Sequence, residues 1–189
     1  HAKRRYAPSG AWEQARRNRE AILQAAERQF RELGYAGATL AAMAAEAGVS
    51  VETVYKAFGG KAGLVRAIYE RGLAGSGPVP AYERSDDMRE HESDPKTVMR
   101  EWGLLTAEVA ALVTPIRLLM RSAAINDQEM AHLLDEIDSE RIKRMRHHTR
   151  YLERRGDHRQ GVTVDEATAL LWARRPGDRH ERAARREGR

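Results

Sequence analysis

The spacing of apolar residues predicts helices along nearly the whole chain. Ile22, Ala26, Phe30 and Leu33 recur at i, i+4, i+8 and i+11, with Glu20, Glu27, Arg28 and Arg31 off the stripe. That period describes an amphipathic helix running from about residue 12 or 16 to Leu33. Gly34 is placed to stop it, and Tyr35 is expected to plug the core beneath the turn. Leu40, Met43 and Ala44 then repeat at helical spacing behind Thr39, whose hydroxyl suits an N-cap, and Gly48 closes this short segment. Ser50 caps a second short helix from Val51 to about Phe58, with Val54 and Phe58 inward at i and i+4. Its other face carries Glu52, Thr53, Tyr55 and Lys56. A longer helix starts at Lys61 and buries Leu64, Ala67, Ile68 and Leu73.

Gly75, Gly77, Pro78 and Pro80 interrupt the pattern, and the charged stretch from Glu83 to Asp94 has no clean apolar stripe, reading as a loop or a marginal helix. Asp94-Pro95 restarts order as N-cap and first helical residue. The stripe that follows is Met99, Trp102, Leu105 or Thr106, Val109, Leu112 and Val113, and Pro115 is expected to break or kink it. Ile116, Leu119, Met120 and Ala123 form a second segment. Asn126 or Asp127 caps a longer helix through Met130, Leu133, Leu134, Ile137, Ile142, Met145 and Leu152, with a slip between Ile137 and Ile142. Gly156 and Gly161 mark its end, and Thr163 with Glu166 forms a capping box opening a helix with Ala167, Leu170, Leu171 and Trp172. The tail from Arg174 to Arg189 has almost no apolar residues and is expected to be disordered.

Composition narrows the classes. A chain of 189 residues, 41% hydrophobic, can bury a real core. The net charge of +5 favours an anionic partner. The absence of cysteine excludes disulfide and thiolate chemistry and suits a reducing, cytoplasmic setting. No signal-peptide pattern is visible. The most apolar run, Leu104 to Met120, is interrupted by Glu108, Pro115 and Arg117, so no membrane association is expected.

Two short helices joined by a glycine-containing turn of three or four residues make a helix-turn-helix. The polar face of the second is what a recognition helix needs to enter a major groove. Lys3, Arg4 and Arg5 lie in a basic arm ahead of it, able to reach phosphates or the adjacent minor groove. A lysine at a helix N-terminus opposes the macrodipole, and Lys61 makes electrostatic sense if a phosphate sits there too.

From Asn18 to Glu70 the order is long helix, Gly-Tyr-x-Gly-x-Thr, short helix, Gly-Val-Ser, short helix, x-Phe-Gly-Gly-Lys, long helix. In this order, and in Ile22, Ala25, Ala26, Phe30, Gly34, Tyr35, Thr39, Ala44, Ala47, Gly48, Val49, Ser50, Thr53, Tyr55, Phe58, Lys61 and Leu64, the first third of the chain resembles the DNA-binding domain of the tetracycline-repressor (TetR) family of bacterial regulators. The remainder resembles that family only in being all-helical. The resemblance implies phosphate contacts from Thr39, Tyr55 and Lys61, a connecting helix that links an effector pocket to the DNA-reading head, and a C-terminal effector and dimerisation domain. Related proteins end in an apolar helix that helps form a four-helix dimer interface. This tail departs from that pattern, so the helix from Val164 and the end of the one before it would have to supply the interface.

The expected fold is therefore all-α: a basic arm and helix-turn-helix domain over 1–60, a connecting helix over 61–73, a helical effector and dimerisation domain over 74–173, and a basic tail over 174–189. The expected function is a homodimeric, ligand-responsive transcriptional regulator, most simply a repressor of a roughly palindromic double-stranded DNA operator, released by a small apolar effector. Candidate DNA contacts are Lys3, Arg4, Arg5, Thr39, Ser50, Val51, Glu52, Thr53, Tyr55, Lys56 and Lys61, with Glu52, Thr53 and Lys56 nearest to base edges. Glu52 is equally explained by the dipole of its helix. Candidate effector contacts are Met99, Trp102, Leu105, Leu119, Met120 and Met130, each of which also reads as plain core. The alternative is an effector-binding or protein-interaction bundle whose helix-turn-helix no longer reads DNA. No phosphate loop, dinucleotide motif or His-Glu-x-x-His appears, His147 and His148 face different ways, and Ser50 has no nearby histidine. No catalytic residue, metal site or cofactor is expected.

Overall fold

The computed structural model describes residues 10–157 and 159–173, and only the backbone of Trp172 and Ala173. Lys3, Arg4, Arg5 and the tail 174–189 lie outside the described residues. Within them the protein has eight helices and no strand: α1 (Gly10–Gly37), α2 (Leu40–Ala47), α3 (Val51–Phe58), α4 (Lys61–Ala74), α5 (Ala81–His91), α6 (Pro95–Ala123), α7 (Gln128–Arg155) and α8 (Val164–Ala173). They form two compact units that divide inside α4, between Tyr69 and Glu70.

The first unit is held by the predicted stripe with one change. Ile22, Ala26 and Phe30 are buried, joined by Leu23 and Ala25, whereas Leu33 is 57% exposed. The reason is Gly34, at φ 68° and ψ −179°, a conformation open essentially only to glycine. It ends the regular helix directly after Leu33, which is left at the exposed end of the stripe. Tyr35 is half-buried rather than a core plug, stacked on Phe30 with ring centroids 6.0 Å apart. The core is completed by Met43, Val54, Leu64, Val65 and Ile68.

In the second unit α5 packs on α6, α6 on α7 and α7 on α8. The charged stretch after Pro80 is the helix α5. Its anchor is electrostatic: the Arg84 guanidinium grips Glu108 with two bonds of 3.0 and 2.7 Å, and Ser76 donates its backbone N–H to the same carboxylate at 2.9 Å. Charge-assisted bidentate pairing of this kind fixes geometry where no apolar stripe exists.

α6 is one 29-residue helix that carries Pro115 inside it without breaking. Its buried residues are Val98, Val113, Ile116, Arg117 and Met120, one step out of phase with the expected stripe at its start, so that Val98 points inward and Met99 is 44% exposed. Leu104, Leu112 and Leu118 are also exposed. This is the one helix among the described residues long and apolar enough, with mean hydropathy 1.5 over 18 residues, to cross a membrane, which the interruptions at Glu108, Pro115 and Arg117 had argued against. Two of those interruptions are engaged inside the bundle: Glu108 by Arg84, and the buried Arg117 by Asp138 of α7 at 2.7 Å.

α7 is capped by Asp127, which accepts from the Met130 N–H, and runs unbroken to Gly156. The helix does not break at the step from Ile137 to Ile142, but its inward face turns there, passing to half-buried Ile142, Met145, His148 and Leu152 and the buried Thr149. The capping box forms as expected: Thr163 N–H donates to Glu166 at 2.8 Å and Glu166 N–H to the Thr163 hydroxyl at 3.2 Å. In α8 it is Thr168 that is buried, bonded to Thr149 at 2.9 Å, while Leu170 faces outward.

The Glu108 clasp predicts a pH signature. Arg84 first, then the Ser76 N–H, hold the Glu108 carboxyl down from 4.5 to about 2. A depressed carboxylate contributes stability above its unfolded value and loses it as pH falls toward the folded one. Wild type is therefore expected to unfold at higher temperature than Glu108→Gln near neutrality, with the gap closing between about pH 4.5 and 2. Thermal unfolding of both proteins across that range checks it; a gap that does not change with pH would mean the clasp contributes nothing through its charge.

Candidate nucleic-acid interface

The site is built by two caps and one anchor. Thr39 accepts from the Ala42 N–H at 3.2 Å and so starts α2; Gly48, left-handed at φ 67°, ends it. Ser50 accepts from the Thr53 N–H at 3.2 Å and starts α3 only three residues after α2 stops. Each cap satisfies a donor that the helix itself leaves unpaired. Val54 is wholly buried and fixes the rotation of α3 about its axis. Phe58 is half-buried rather than fully inward, covered by the Arg19 guanidinium 4.4 Å from its ring centroid, and Arg19 also donates to the Ala57 carbonyl at 3.2 Å.

With that rotation fixed, the outer face of α3 is set. Tyr55 is 54% exposed, and Glu52 and Lys56 are exposed beside it. The Tyr55 and Lys56 side chains make no hydrogen bond or ion pair with the described residues, so both are available to a partner. Val51 and Thr53 are half-buried, and the Thr53 hydroxyl lies 3.1 Å from that of Ser50. The Glu52 carboxyl is held low by its own backbone N–H and then by the Ser50 hydroxyl, with desolvation opposing. A carboxylate bonded into the first turn of its helix is stabilised there without any base partner.

Lys61 has a different setting from the one its helix position suggested. Its ammonium donates to the Tyr35 carbonyl at 2.5 Å and the Ala38 carbonyl at 3.1 Å, and sits 4.2 Å from the Tyr35 ring centroid. It ties the start of α4 to the turn that Gly34 creates. Two of three ammonium protons are used internally, leaving one for a phosphate.

Gly63 is a residue the sequence reading passed over. A Cβ there would lie 1.7 Å from the Phe58 carbonyl oxygen, so the end of α3 approaches α4 as only glycine permits. Nothing in helical periodicity marks such a contact, since glycine inside a predicted helix reads simply as a weak position.

Of the six expected effector contacts, Met120 and Met130 are fully buried core, Trp102, Leu105 and Leu119 are half-buried, and Met99 lies outside the packed face. No group of three or more His, Asp or Glu among the described residues is arranged to hold a metal ion.

A short capped pair of helices with an outward polar second helix, set on a third helix, defines a helix-turn-helix DNA-binding head followed by a helical second unit. Residues 22–68 match the model of the bacterial regulatory proteins of the tetR family. The match covers the head, and it is the head that is similar to that family. Its fold is similar over most of its length to NalD of Pseudomonas aeruginosa, the secondary repressor of the MexAB-OprM multidrug efflux pump, at 22% identity and a TM-score of 0.61 over 84% of this chain and 81% of that one. A Rhodococcus sp. protein assigned to the TetR family of transcriptional regulators aligns over 84% and 82% at 18% identity and a TM-score of 0.61. The Bacillus subtilis transcriptional regulator FadR, solved with stearoyl-CoA, aligns over 82% and 81% at 19% identity and a TM-score of 0.59. At these identities the likeness shows the fold. No curated protein matches the chain.

Proposed function

We propose that this protein is a cytoplasmic, homodimeric transcriptional regulator that binds a roughly palindromic operator and is released by a small molecule held in its second unit. The observation that carries the reading is the outer face of α3, where Tyr55 and Lys56 stand exposed and unengaged on a helix whose rotation Val54 fixes. In this reading two such helices enter successive major grooves about one turn apart. Thr39, Ser50, Tyr55 and the basic arm at Lys3, Arg4 and Arg5 hold phosphates, with the remaining proton of Lys61 beside them. Lys56, Thr53, Val51 and Glu52 face base edges, where a lysine donates to guanine and a carboxylate accepts from cytosine. The exposed apolar side chains Leu104, Leu112 and Leu118 on α6 and Leu170 on α8 support association of two copies. The repressor role follows the pattern of NalD, and a hydrophobic effector agrees with the half-buried Trp102, Leu105 and Leu119.

The test is duplex binding against salt, with selected operator sequences and two variants. Log affinity should fall linearly with log salt, as counterion release requires. Lys56→Ala should cost about 1–3 kcal/mol of discrimination at one base pair of each half-site, with thermal unfolding nearly unchanged because its side chain is exposed. Salt-insensitive binding, or no preference for any duplex sequence, would instead favour a bundle that does not read DNA.

A further inference from the structure

Three helices of the second unit enclose polar atoms that no described residue satisfies. The Trp102 indole of α6 lies 4.6 Å, centroid to centroid, from the His148 imidazole of α7, and 6.1 Å edge-on from the Tyr151 ring. Arg89 of α5 places its guanidinium 5.5 Å over that same Tyr151 ring, and the Tyr151 hydroxyl donates to the Arg89 carbonyl at 2.7 Å. The four side chains are one continuous cluster. Within it Trp102 Nε1, His148 Nδ1 and Arg89 Nη1 are closed off from solvent and have no hydrogen-bond partner among the described residues.

A buried donor left unpaired costs about 1–3 kcal/mol, and native interiors hold few of them. Here three unpartnered polar atoms belong to side chains of one cluster, and two of them, the indole N–H and the guanidinium N–H, can only donate. The charge is lopsided in the same sense. Arg89 has Asp86 at 3.0 Å, but that carboxylate is half exposed, and Arg144 adds a second cation near His148. Burial, and then Arg89 and Arg144, hold His148 well below its ordinary value, at about 4, so it is neutral near pH 7 and adds no further cation. What the cluster lacks is one negatively charged acceptor, and what surrounds that position is aromatic surface.

We propose that α5, α6 and α7 bind an apolar carboxylate, its carboxylate accepting from Arg89 Nη1 and Trp102 Nε1 and its apolar part lying on the Trp102, His148 and Tyr151 rings. The site rests on the reading of the second unit as ligand-binding, and narrows the ligand from a generic apolar molecule to an organic acid.

The experiment uses the full chain with 15N-labelled tryptophan, the Trp102 indole resonance being assigned by its loss in Trp102→Phe. Decanoate and salicylate are titrated against their neutral counterparts, decanol and salicylamide. At least one acid should shift the Trp102 indole saturably and bind about tenfold or more tighter than its neutral partner, which is the scale of one charged hydrogen bond. Arg89→Met should erase that preference; if this variant does not fold, Arg89→Gln serves, keeping an amide donor without the charge. No saturable shift from either acid, equal binding of acid and neutral partner, or an undiminished preference in the Arg89 variant overturns the site. Duplex binding separates the two readings. An acid that shifts Trp102 without altering duplex affinity keeps this site and removes the ligand-controlled regulator. Sequence-specific duplex binding with no response of Trp102 removes this site and leaves the DNA-reading head standing.

Discussion

Val54→Asp is expected to unfold the head and abolish duplex binding, whereas Tyr55→Asp, one residue along, is expected to leave the fold intact. Val54 is wholly buried and Tyr55 is 54% exposed, so adjacent positions on α3 sit on opposite sides of the same boundary. A valine of this burial contributes about 1.5–3 kcal/mol through its apolar area. A carboxylate in its place loses that and also carries an unpaired charge into the core, an effect in the range above about 4 kcal/mol that only such defects reach. Against the roughly 5–15 kcal/mol of net stability typical of a domain, this removes most of the margin. Tyr55→Asp changes only an exposed side chain, so its effect on stability should stay within about 0.5 kcal/mol. It should still weaken duplex binding, because a carboxylate would replace the hydroxyl that the proposed function sets against phosphates. Denaturant unfolding followed by circular dichroism, with duplex affinity measured beside it, separates the two. If Tyr55→Asp proves as damaging to the fold as Val54→Asp, α3 is rotated differently and its reading face is not the one described.

The head was legible in the sequence because its signals are local. Thr39, Gly48 and Ser50 act on backbone groups within a few residues of themselves, and those bonds are seen where expected. The second unit was legible in outline only. Its helix starts at Asp94, Asp127 and Thr163 are again local caps. What failed there depends on partners distant in sequence. The stretch before Asp94 reads as a loop or a marginal helix because it has no stripe; the helix α5 forms there, with Arg84 bound to Glu108 24 residues away. Pro115 reads as a break or a kink, since its ring opposes the carbonyl four residues back; α6 does not break there, and Val113, Ile116, Arg117 and Met120 are buried on either side of it. Periodicity also mistook the phase at Val98 and Met99, because both are apolar and only the packing of α6 on its neighbours chooses between them. The unsatisfied cluster at Arg89, Trp102 and His148 could not be found from sequence, for its members come from three helices and none carries a motif.

Lys61→Met is expected to destabilise the free protein by about 2 kcal/mol, more than it weakens the salt dependence of duplex binding. From its position at the start of α4, Lys61 looked like a cation waiting for a phosphate, and that role alone would make its loss reduce the salt slope by about one unit with no effect on the free protein. The structure commits its ammonium to the Tyr35 and Ala38 carbonyls and to the Tyr35 ring. Hydrogen bonds to a charged group contribute about 1.5–3 kcal/mol when well buried; these are half-exposed, and solvent replaces part of what is lost. Methionine keeps the length of the stem and its packing on Tyr35, so the measured change reports on the ammonium. The destabilisation should appear without DNA, as a lower denaturant midpoint at unchanged slope. With one proton left over for a phosphate, the salt slope should change by less than about half a unit. Lys61→Arg extends the test, since guanidinium retains the charge but not the compact ammonium that reaches both carbonyls. A phosphate role predicts near-normal duplex binding and stability for it, and a clamp role predicts a stability loss close to that of Lys61→Met. If both variants unfold like wild type and only the methionine variant loses a full unit of slope, the residue belongs to the DNA contact after all, and the turn at Gly34 must be held by something else.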